Sequence, residues 1–176
     1  LGEGLRGRRL AVRSDLDLAA QVTANGATWL DRRLIAADLP NGIGGFAKDA
    51  ADAMQQRLEV LADRGLAEGR GGRLRLSANL LARLEAAERG ELAARIERET
   101  GLLHRTAAPG ETVSGRYQRR YDLASGRFAM LEDGLGFQLV PWTQKLEGHL
   151  GRQVSGRVIP GSRIEWSLGR GRGLGL

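Results

Sequence analysis

The hydrophobic pattern of this chain changes once, near residue 112, and that change limits the folds open to it. Before that point apolar residues recur every three or four positions, and the clearest run is Phe46, Ala50, Met54, Leu58 and Leu61. After it, apolar and polar residues alternate, which is the pattern of β-strands. A helical half followed by a strand-rich half predicts an α+β fold.

The helical half, assigned to residues 14–104, is predicted to be winged-helix-like. Helical segments precede two short strands, "LAE" and "RLRLS", that flank the turn "GRGG", and a further helix follows, which Gly90 weakens and Gly101 stops. Helices followed by a two-stranded wing are the order of a winged helix-turn-helix. Residues 1–13 are predicted to be a basic N-terminal extension or linker, and the missing initial methionine favours a piece of a longer protein.

The strand-rich half, residues 105–168, is predicted to be a small five-stranded β-barrel. Its elements follow in the order β-β-β-α-β-β, which is that of an oligonucleotide-binding (OB) barrel, and an SH3-like barrel is the close alternative. The sequence "VSGR" occurs twice, at Val113–Arg116 and Val154–Arg157. We interpret each copy as a glycine bulge at equivalent corners of the barrel. A basic, glycine-rich tail follows at 169–176.

The formal net charge of +6 is concentrated at the two ends of the 176-residue chain. Residues 1–13 contain four arginines and one glutamate, and residues 105–176 contain 11 basic and six acidic side chains, whereas residues 14–104 are slightly acidic. Basic segments attract polyanions, and nucleic acid is the first candidate. Solubility of an arginine-rich chain is the alternative explanation.

Arginines and aromatic residues are interleaved in the first two strands of the β half. Cations among aromatics suit stacking on unpaired bases combined with phosphate contact. The candidate nucleic-acid-binding residues are Arg116, Tyr117, Arg119, Arg120, Tyr121 and Arg127 in these strands, Arg70, Arg73 and Arg75 in the wing, and Arg170 and Arg172 in the tail.

Regular alternation along the first strand would separate these side chains. It places Tyr117, Arg119 and Tyr121 on one face, and Arg116 and Arg120 on the other. Packing in the barrel core is the alternative role for both tyrosines. A barrel of this size needs large side chains to fill it, and we assign four more aromatic residues to that core: Phe128, Phe137, Trp142 and Trp166.

The helix at 46–64 is not expected to enter a DNA groove. A helix that faces phosphates needs a basic or neutral exposed surface. The predicted exposed positions are instead mixed and include Asp49, Asp52, Glu59 and Asp63 against Lys48, Arg57 and Arg64.

The sequence contains no pattern typical of a catalytic, metal or cofactor site. Cysteine is absent, His104 and His149 are isolated, and "GIGGF" lacks the Lys-Ser/Thr of a phosphate-binding loop. No apolar run is long enough for a membrane span, and no signal peptide opens the chain. We expect a non-enzymatic, cofactor-free domain that does not insert into membranes and lies in a bacterial cytoplasm.

Four segments carry a resemblance to a known family: "GATWLDR" at Gly26–Arg32, "GRYQRRYDLASGRFAMLEDGLGFQLVPW" at Gly115–Trp142, "LEGHLGRQVSG" at Leu146–Gly156, and the ending "WSLGRGRGLGL". From about Ala20 to Leu176 the chain resembles the uncharacterised C-terminal domain that follows the relaxase (mobilisation nuclease) module in large bacterial conjugation proteins.

The resemblance implies a context for the domain rather than a catalytic role. Full-length proteins of this kind resemble metal-dependent relaxases that nick DNA through an N-terminal domain and pass through a type IV secretion channel. None of the nuclease motif is present here. The implied function is an accessory domain that binds DNA, single-stranded in preference to double-stranded, beside the nicking domain. The alternative is a translocation signal recognised by the secretion coupling protein.

Overall fold

A computed structural model describes residues 15–38, 40, 44–70 and 73–169. The chain divides into two compact units, Leu1–Glu85 and Ala86–Leu176. Helices dominate the first unit and a six-stranded mixed sheet dominates the second, so the predicted α+β class is confirmed. The boundaries expected at 13/14, 104/105 and 168/169 stay predictions.

The N-terminal unit contains three helices, a two-stranded antiparallel ribbon and the start of a fourth helix. These elements are α1 Leu18–Thr23, α2 Trp29–Ile35, α3 Gly45–Asp63, β1 Ala67–Arg70, β2 Arg73–Leu76 and the first residues of α4 Leu80–Thr100. Local signals explain two of the ends. The Asp17 carboxylate accepts a hydrogen bond from the Ala20 N–H at 2.7 Å at the start of α1. Gly65, with φ of +69°, follows the end of α3.

The apolar face of α3 packs into the core of this unit, as its period predicts. Ala50, Met54 and Leu61 are at most 2% exposed, whereas Phe46 at the N-terminal end of the helix is 44% exposed. Helix α4 continues through Gly90 without interruption and ends before Gly101, whose φ is +74°. The expected weakening at Gly90 therefore does not break the helix.

Arg57 is fully buried, and the prediction that it lies on the exposed face of α3 is wrong. Its Nε and Nη2 donate to the two carboxylate oxygens of Asp31, at 2.8 and 2.9 Å, and Asp31 is itself fully buried. The remaining donors reach backbone carbonyls of Val22, Ala24 and Gly26. Burial is tolerated because the whole guanidinium is paired.

The C-terminal unit contains the rest of α4 and six strands. The strands are β3 Leu103–His104, β4 Thr112–Leu123, β5 Gly126–Glu132, β6 Gly136–Pro141, β7 Gln153–Ile159 and β8 Arg163–Trp166. Their order in the sheet is β3-β6-β5-β4-β7-β8, and only the β3–β6 pair is parallel. Within the described residues β3 and β8 are unpaired edges, so the sheet is not closed. A 3₁₀ helix at Gln144–Leu146 stands where one short helix was expected.

Apolar residues cover both faces of this sheet. One face packs a cluster formed by Val113, Tyr117, Ala129, Leu131, Val140, Leu146, Val154, Val158 and Trp166. The other packs Met130, Phe137 and Leu139 against Leu92, Ala93 and Ile96 of α4. Three of the four aromatic residues assigned to the core are buried: Phe128, Phe137 and Trp166. Trp142 is only partly buried.

The two "VSGR" copies pair with each other and are not bulges. They run antiparallel in β4 and β7, with Ser114 opposite Ser155 and an unbroken register around them. Glycine is needed for close packing. A Cβ on Gly115 would lie 2.8 Å from the Glu132 carbonyl oxygen, and one on Gly156 would lie 2.6 Å from Cγ2 of Ile164. Our interpretation of both copies as bulges is wrong.

Candidate functional site

The bulge of strand β4 lies at Gln118 and reverses the alternation of the side chains that follow. Tyr117 pairs with Leu131 of β5, whereas Arg119 pairs with the next residue, Met130, so Gln118 is the extra residue. Arg120 therefore lies opposite Ala129, on the same face as Tyr117.

This geometry corrects the face assignment made from regular alternation. Arg119 and Tyr121 lie on the face opposite Tyr117, and Tyr121 packs beside the cluster that contains Met130 and Phe137. Arg120 shares a face with Tyr117 and with Asp122, which pairs with Arg127 of β5. The bulge therefore places Arg120 on the same face of the sheet as Arg127. Regular alternation would have placed Arg120 on the face opposite Tyr117.

A groove of about 360 Å³ opens beside the bulge, and we call it the Arg–Trp groove. Its volume is within the range of small-molecule sites, on the order of 300–1,000 Å³. Its lining combines cationic, acidic, aromatic and aliphatic side chains: Tyr117, Gln118, Arg119, Arg120, Asp122, Trp142, Leu146, Glu147, Gly148 and Leu150.

Two guanidinium groups lie over Trp142, which follows the end of β6. The Cζ atoms of Arg120 and Arg127 are 5.2 and 5.7 Å from the centroid of the indole ring. Trp142 is held in place because its backbone N–H donates to the Arg127 carbonyl at 2.9 Å. We assigned this residue to the core from the sequence, and it does pack, partly buried, against the cluster that contains Tyr117 and Leu146, but its position at the groove was not predicted. The available signal was its position directly after Pro141, at a strand end.

Asp122 lies between the same two arginines. Arg120 contacts it through Nε to Oδ1 at 3.2 Å and through Nη2 to Oδ2 at 3.3 Å. Arg127 Nε is 3.7 Å from the same Oδ1. All three side chains are about half exposed. The cluster therefore combines two cations, one carboxylate and one aromatic ring at the surface.

Helix α4 holds the turn that joins β4 to β5. The Glu88 carboxylate accepts the backbone N–H groups of Ala124 and Ser125, both at 2.9 Å. The Cζ atom of the next residue of α4, Arg89, lies 5.9 Å from the centroid of the Phe128 ring. These contacts fix the hairpin that carries Arg120 and Arg127.

The other candidate residues of the sheet differ in exposure. Arg116 is exposed and lies opposite Glu132. Arg119 is exposed, and its guanidinium lies 5.2 Å from the Tyr121 ring centroid. Tyr117 is only 4% exposed, so its ring face is occupied by core neighbours rather than open to a ligand.

In the wing, Arg75 lines a separate groove of about 630 Å³ together with Glu68 and Arg83. Arg73 and Arg75 are exposed, and Arg75 lies opposite Glu68 in the ribbon. The side chain of Arg70, and the whole of Arg170 and Arg172, lie outside the described residues. The exposed face of α3 is more acidic than expected, because Arg57 is buried while four carboxylates remain exposed: Asp49, Asp52, Glu59 and Asp63.

In the part of the chain that the structure describes, no three histidine, cysteine or acidic side chains lie close enough together to hold a metal ion. Among the helices of that same part, none is both long enough and apolar enough to cross a membrane.

The fold and the groove define a class: a two-unit α+β chain whose sheet presents an arginine–tryptophan cluster. The chain belongs to the DUF3363 family, described as a protein of unknown function, whose family model matches residues 3–175. Comparison with curated proteins and with solved structures gave no match.

Proposed function

We propose that this chain is a non-catalytic accessory domain that binds nucleic acid, single-stranded in preference to double-stranded, through the Arg–Trp groove. The observation that carries the proposal is the pair of guanidinium groups over Trp142 at the groove. Unpaired bases expose π faces that stack on aromatic rings, and guanidinium groups contact the phosphates between them. A duplex hides those base faces, so such a groove favours single strands.

The strand order supports an OB-like barrel for β4–β8. The first part of β4 pairs with β7 and the remainder with β5, while β6 and β8 extend the sheet on either side. An OB fold is a partly open five-stranded barrel that binds oligonucleotides on its surface. We propose that β4–β8 are this barrel and that β3 is an added edge strand. An SH3-like barrel is the alternative.

The order of elements in the N-terminal unit supports a winged-helix-like fold, with β1 and β2 as the wing. In such folds the helix before the wing is the one that enters the major groove. Here that helix is α3, and its exposed carboxylates would repel phosphates. We therefore assign nucleic-acid binding to the C-terminal unit, and limit the wing to backbone contact through Arg73 and Arg75.

The resemblance seen in the sequence supports the wider context. We propose that the domain follows a relaxase module in a bacterial conjugation protein, where it would hold the transferred strand near the nicking domain in the cytoplasm. The alternative, recognition of the basic tail by a secretion coupling protein, rests on sequence alone. Deleting residues 169–176 should then abolish protein transfer and leave DNA binding unchanged, and unchanged transfer would exclude this role.

Fluorescence anisotropy with labelled single- and double-stranded oligonucleotides, titrated with salt, tests the binding proposal. We expect the single strand to bind more tightly, with affinity that falls as salt rises because bound phosphates release counterions. Trp142→Leu keeps an apolar side chain but removes the stacking face, and should weaken binding by about 1–3 kcal/mol, roughly 5- to 150-fold.

The arginines are tested by the double variant Arg120→Ala/Arg127→Ala. Its log–log salt slope should fall by about 1.4, since each phosphate contact on a single strand contributes about 0.7. The matched control is Arg157→Ala/Arg163→Ala, which removes the same charge from exposed positions of β7 and β8 outside the groove. Equal losses in the two double variants would mean that the field of the whole domain, and not the groove, binds the strand.

A further inference from the structure

The carboxylate of Asp122 occupies the guanidinium donors that a phosphate would need. Its Oδ1 lies 3.2 Å from Nε of Arg120, and its Oδ2 lies 3.3 Å from Nη2 of the same residue. Arginine offers the same two-pronged geometry to phosphates. Arg127 Nε is 3.7 Å from Oδ1 of the same carboxylate. An incoming phosphate must therefore replace an anion that is already present.

The same contacts also position the two cations over the indole ring. Arg120 and Arg127 lie 5.2 and 5.7 Å from the centroid of Trp142 while they contact Asp122. A base can stack on that ring only when a guanidinium moves aside. Release of the arginines from Asp122 and exposure of the ring face are thus one event.

We propose that Asp122 is a specificity-determining residue that makes this groove select strands with both a base and a phosphate over ligands with phosphate alone. The inference rests on the proposed function of the groove. Exchange of one anion for another gains little free energy when phosphate alone binds, because each exposed ion pair is worth little. A nucleotide gains the stacking of its base on Trp142 in addition, and that gain drives the exchange.

The test compares two ligands of equal charge on the wild-type chain and on Asp122→Asn. The ligands are an oligothymidine of about 12 nucleotides, within the site size of an OB fold, and an abasic strand of the same length. Wild type should prefer oligothymidine. Asp122→Asn should bind the abasic strand about two- to five-fold more tightly, the range expected for loss of an exposed ion pair, and gain less for oligothymidine.

The matched control is Glu165→Gln, which removes the same charge from an exposed position of β8 outside the groove. A thermal melt of each variant confirms folding, and Asp122→Ala gives a second variant if the amide pairs with the arginines. A ratio between the two ligands that falls in Asp122→Asn and not in Glu165→Gln supports the inference.

The possible outcomes distinguish failure of this inference from failure of the proposed binding function. Tight binding of oligothymidine by wild type, with an unchanged ligand ratio in both Asp122 variants, overturns the role of Asp122 and leaves the binding function in place. No binding of either strand by wild type or by the Asp122 variants overturns both. Binding by the Asp122 variants alone, with none by wild type, also overturns the inference, because a groove that the carboxylate closes to both strands selects neither.

Discussion

Arg57 illustrates at the scale of one residue how a helix surface can be misjudged. Its five N–H groups reach Asp31 and three backbone carbonyls, so the ion pair is buried without unpaired donors. Asp31 also accepts the Thr28 N–H at 2.7 Å as part of the capping box of α2. One side chain therefore joins α3 to the start of α2 and to the segment between α1 and α2.

Replacing Arg57 with Met should destabilise the N-terminal unit by about 3–5 kcal/mol, because the buried Asp31 carboxylate would lose its cationic partner and the buried carbonyls would lose their donor. Amide hydrogen exchange in α1, α2 and α3 measures the loss within that unit. Arg64→Met is the control, since Arg64 also donates to the Thr23 and Ala24 carbonyls but is exposed. The double variant Arg57→Met/Asp31→Leu should recover part of the stability. Equal effects of the two arginine variants would contradict this account.

His104 gives the C-terminal unit a dependence on pH. Burial lowers the pKa of His104 below its usual 6.5, Arg89 lowers that pKa further, and Glu97 opposes the shift. The unfolded chain therefore binds a proton more readily than the folded chain. The associated stability is present above pH 6.5 and is lost as pH falls through the lower pKa of the folded state.

His104→Gln should flatten this dependence, because glutamine does not titrate. Melting temperatures at intervals from pH 8 down to pH 5, about a unit and a half on either side of the free-histidine pKa, would show the difference between the two chains. Asp133 acts in a separate range. Hydrogen bonds from the Leu135 and Gly136 N–H groups, with the nearby Arg105, lower its pKa below 3.8, so its contribution is lost only in stronger acid. If the melting temperature of His104→Gln falls between pH 6.5 and 5 by as much as that of the unchanged chain, His104 is not the source of this pH dependence.

At the scale of elements, two glycines of the C-terminal unit should respond in opposite ways to alanine. Gly90 lies within α4, and a Cβ there would meet no atom within 4 Å. Gly90→Ala should stabilise the helix by about 0.5–1 kcal/mol, since alanine loses less backbone entropy. A Cβ on Gly156 would lie 2.8 Å from the Glu165 carbonyl oxygen, so Gly156→Ala should separate β7 from β8 and destabilise the sheet.

Chemical denaturation of both variants measures this contrast in the free energy of unfolding. Gly45→Ala adds a comparison, because a Cβ there also meets no atom within 4 Å. Destabilisation by Gly90→Ala would mean that the helix needs flexibility at that point. A neutral effect of Gly156→Ala would mean that β8 shifts to accommodate the methyl group.

At the scale of the whole molecule, local signals in the sequence were enough for the α+β class and for most elements. The segment "QVSGRVI" is β7, and the ribbon expected around "GRGG" is present as β1 and β2. These predictions depend on period and on turn residues, which act over a few positions. The extra strand β3 has only two residues and exists through its pairing with β6, so no local pattern could reveal it.

The buried ion pair of the N-terminal unit and the geometry of the candidate site were not predicted, because both depend on contacts between distant positions. Asp31 lies 26 residues before Arg57, and no periodicity links them. The bulge falls on Gln118, whereas glycine was the expected signal for a bulge. This one extra residue in β4 determines which arginines of the strand lie on the same face as Trp142's neighbour Arg127. The residue types singled out the arginines of these strands, and the geometry of the sheet determines that Arg120 and Arg127 are the two that lie over Trp142.

The bulge at Gln118 also has a consequence for how this surface can evolve. Loss of one residue from β4 would move each later side chain of the strand to the opposite face of the sheet, whereas a substitution changes a single position. We therefore expect family members to gain or lose the groove through insertions and deletions in this strand. Sequences that share every arginine but differ by one residue in length here should differ in binding, which the same anisotropy titration would reveal. Anyone transplanting the groove onto another scaffold must carry the irregular strand with it.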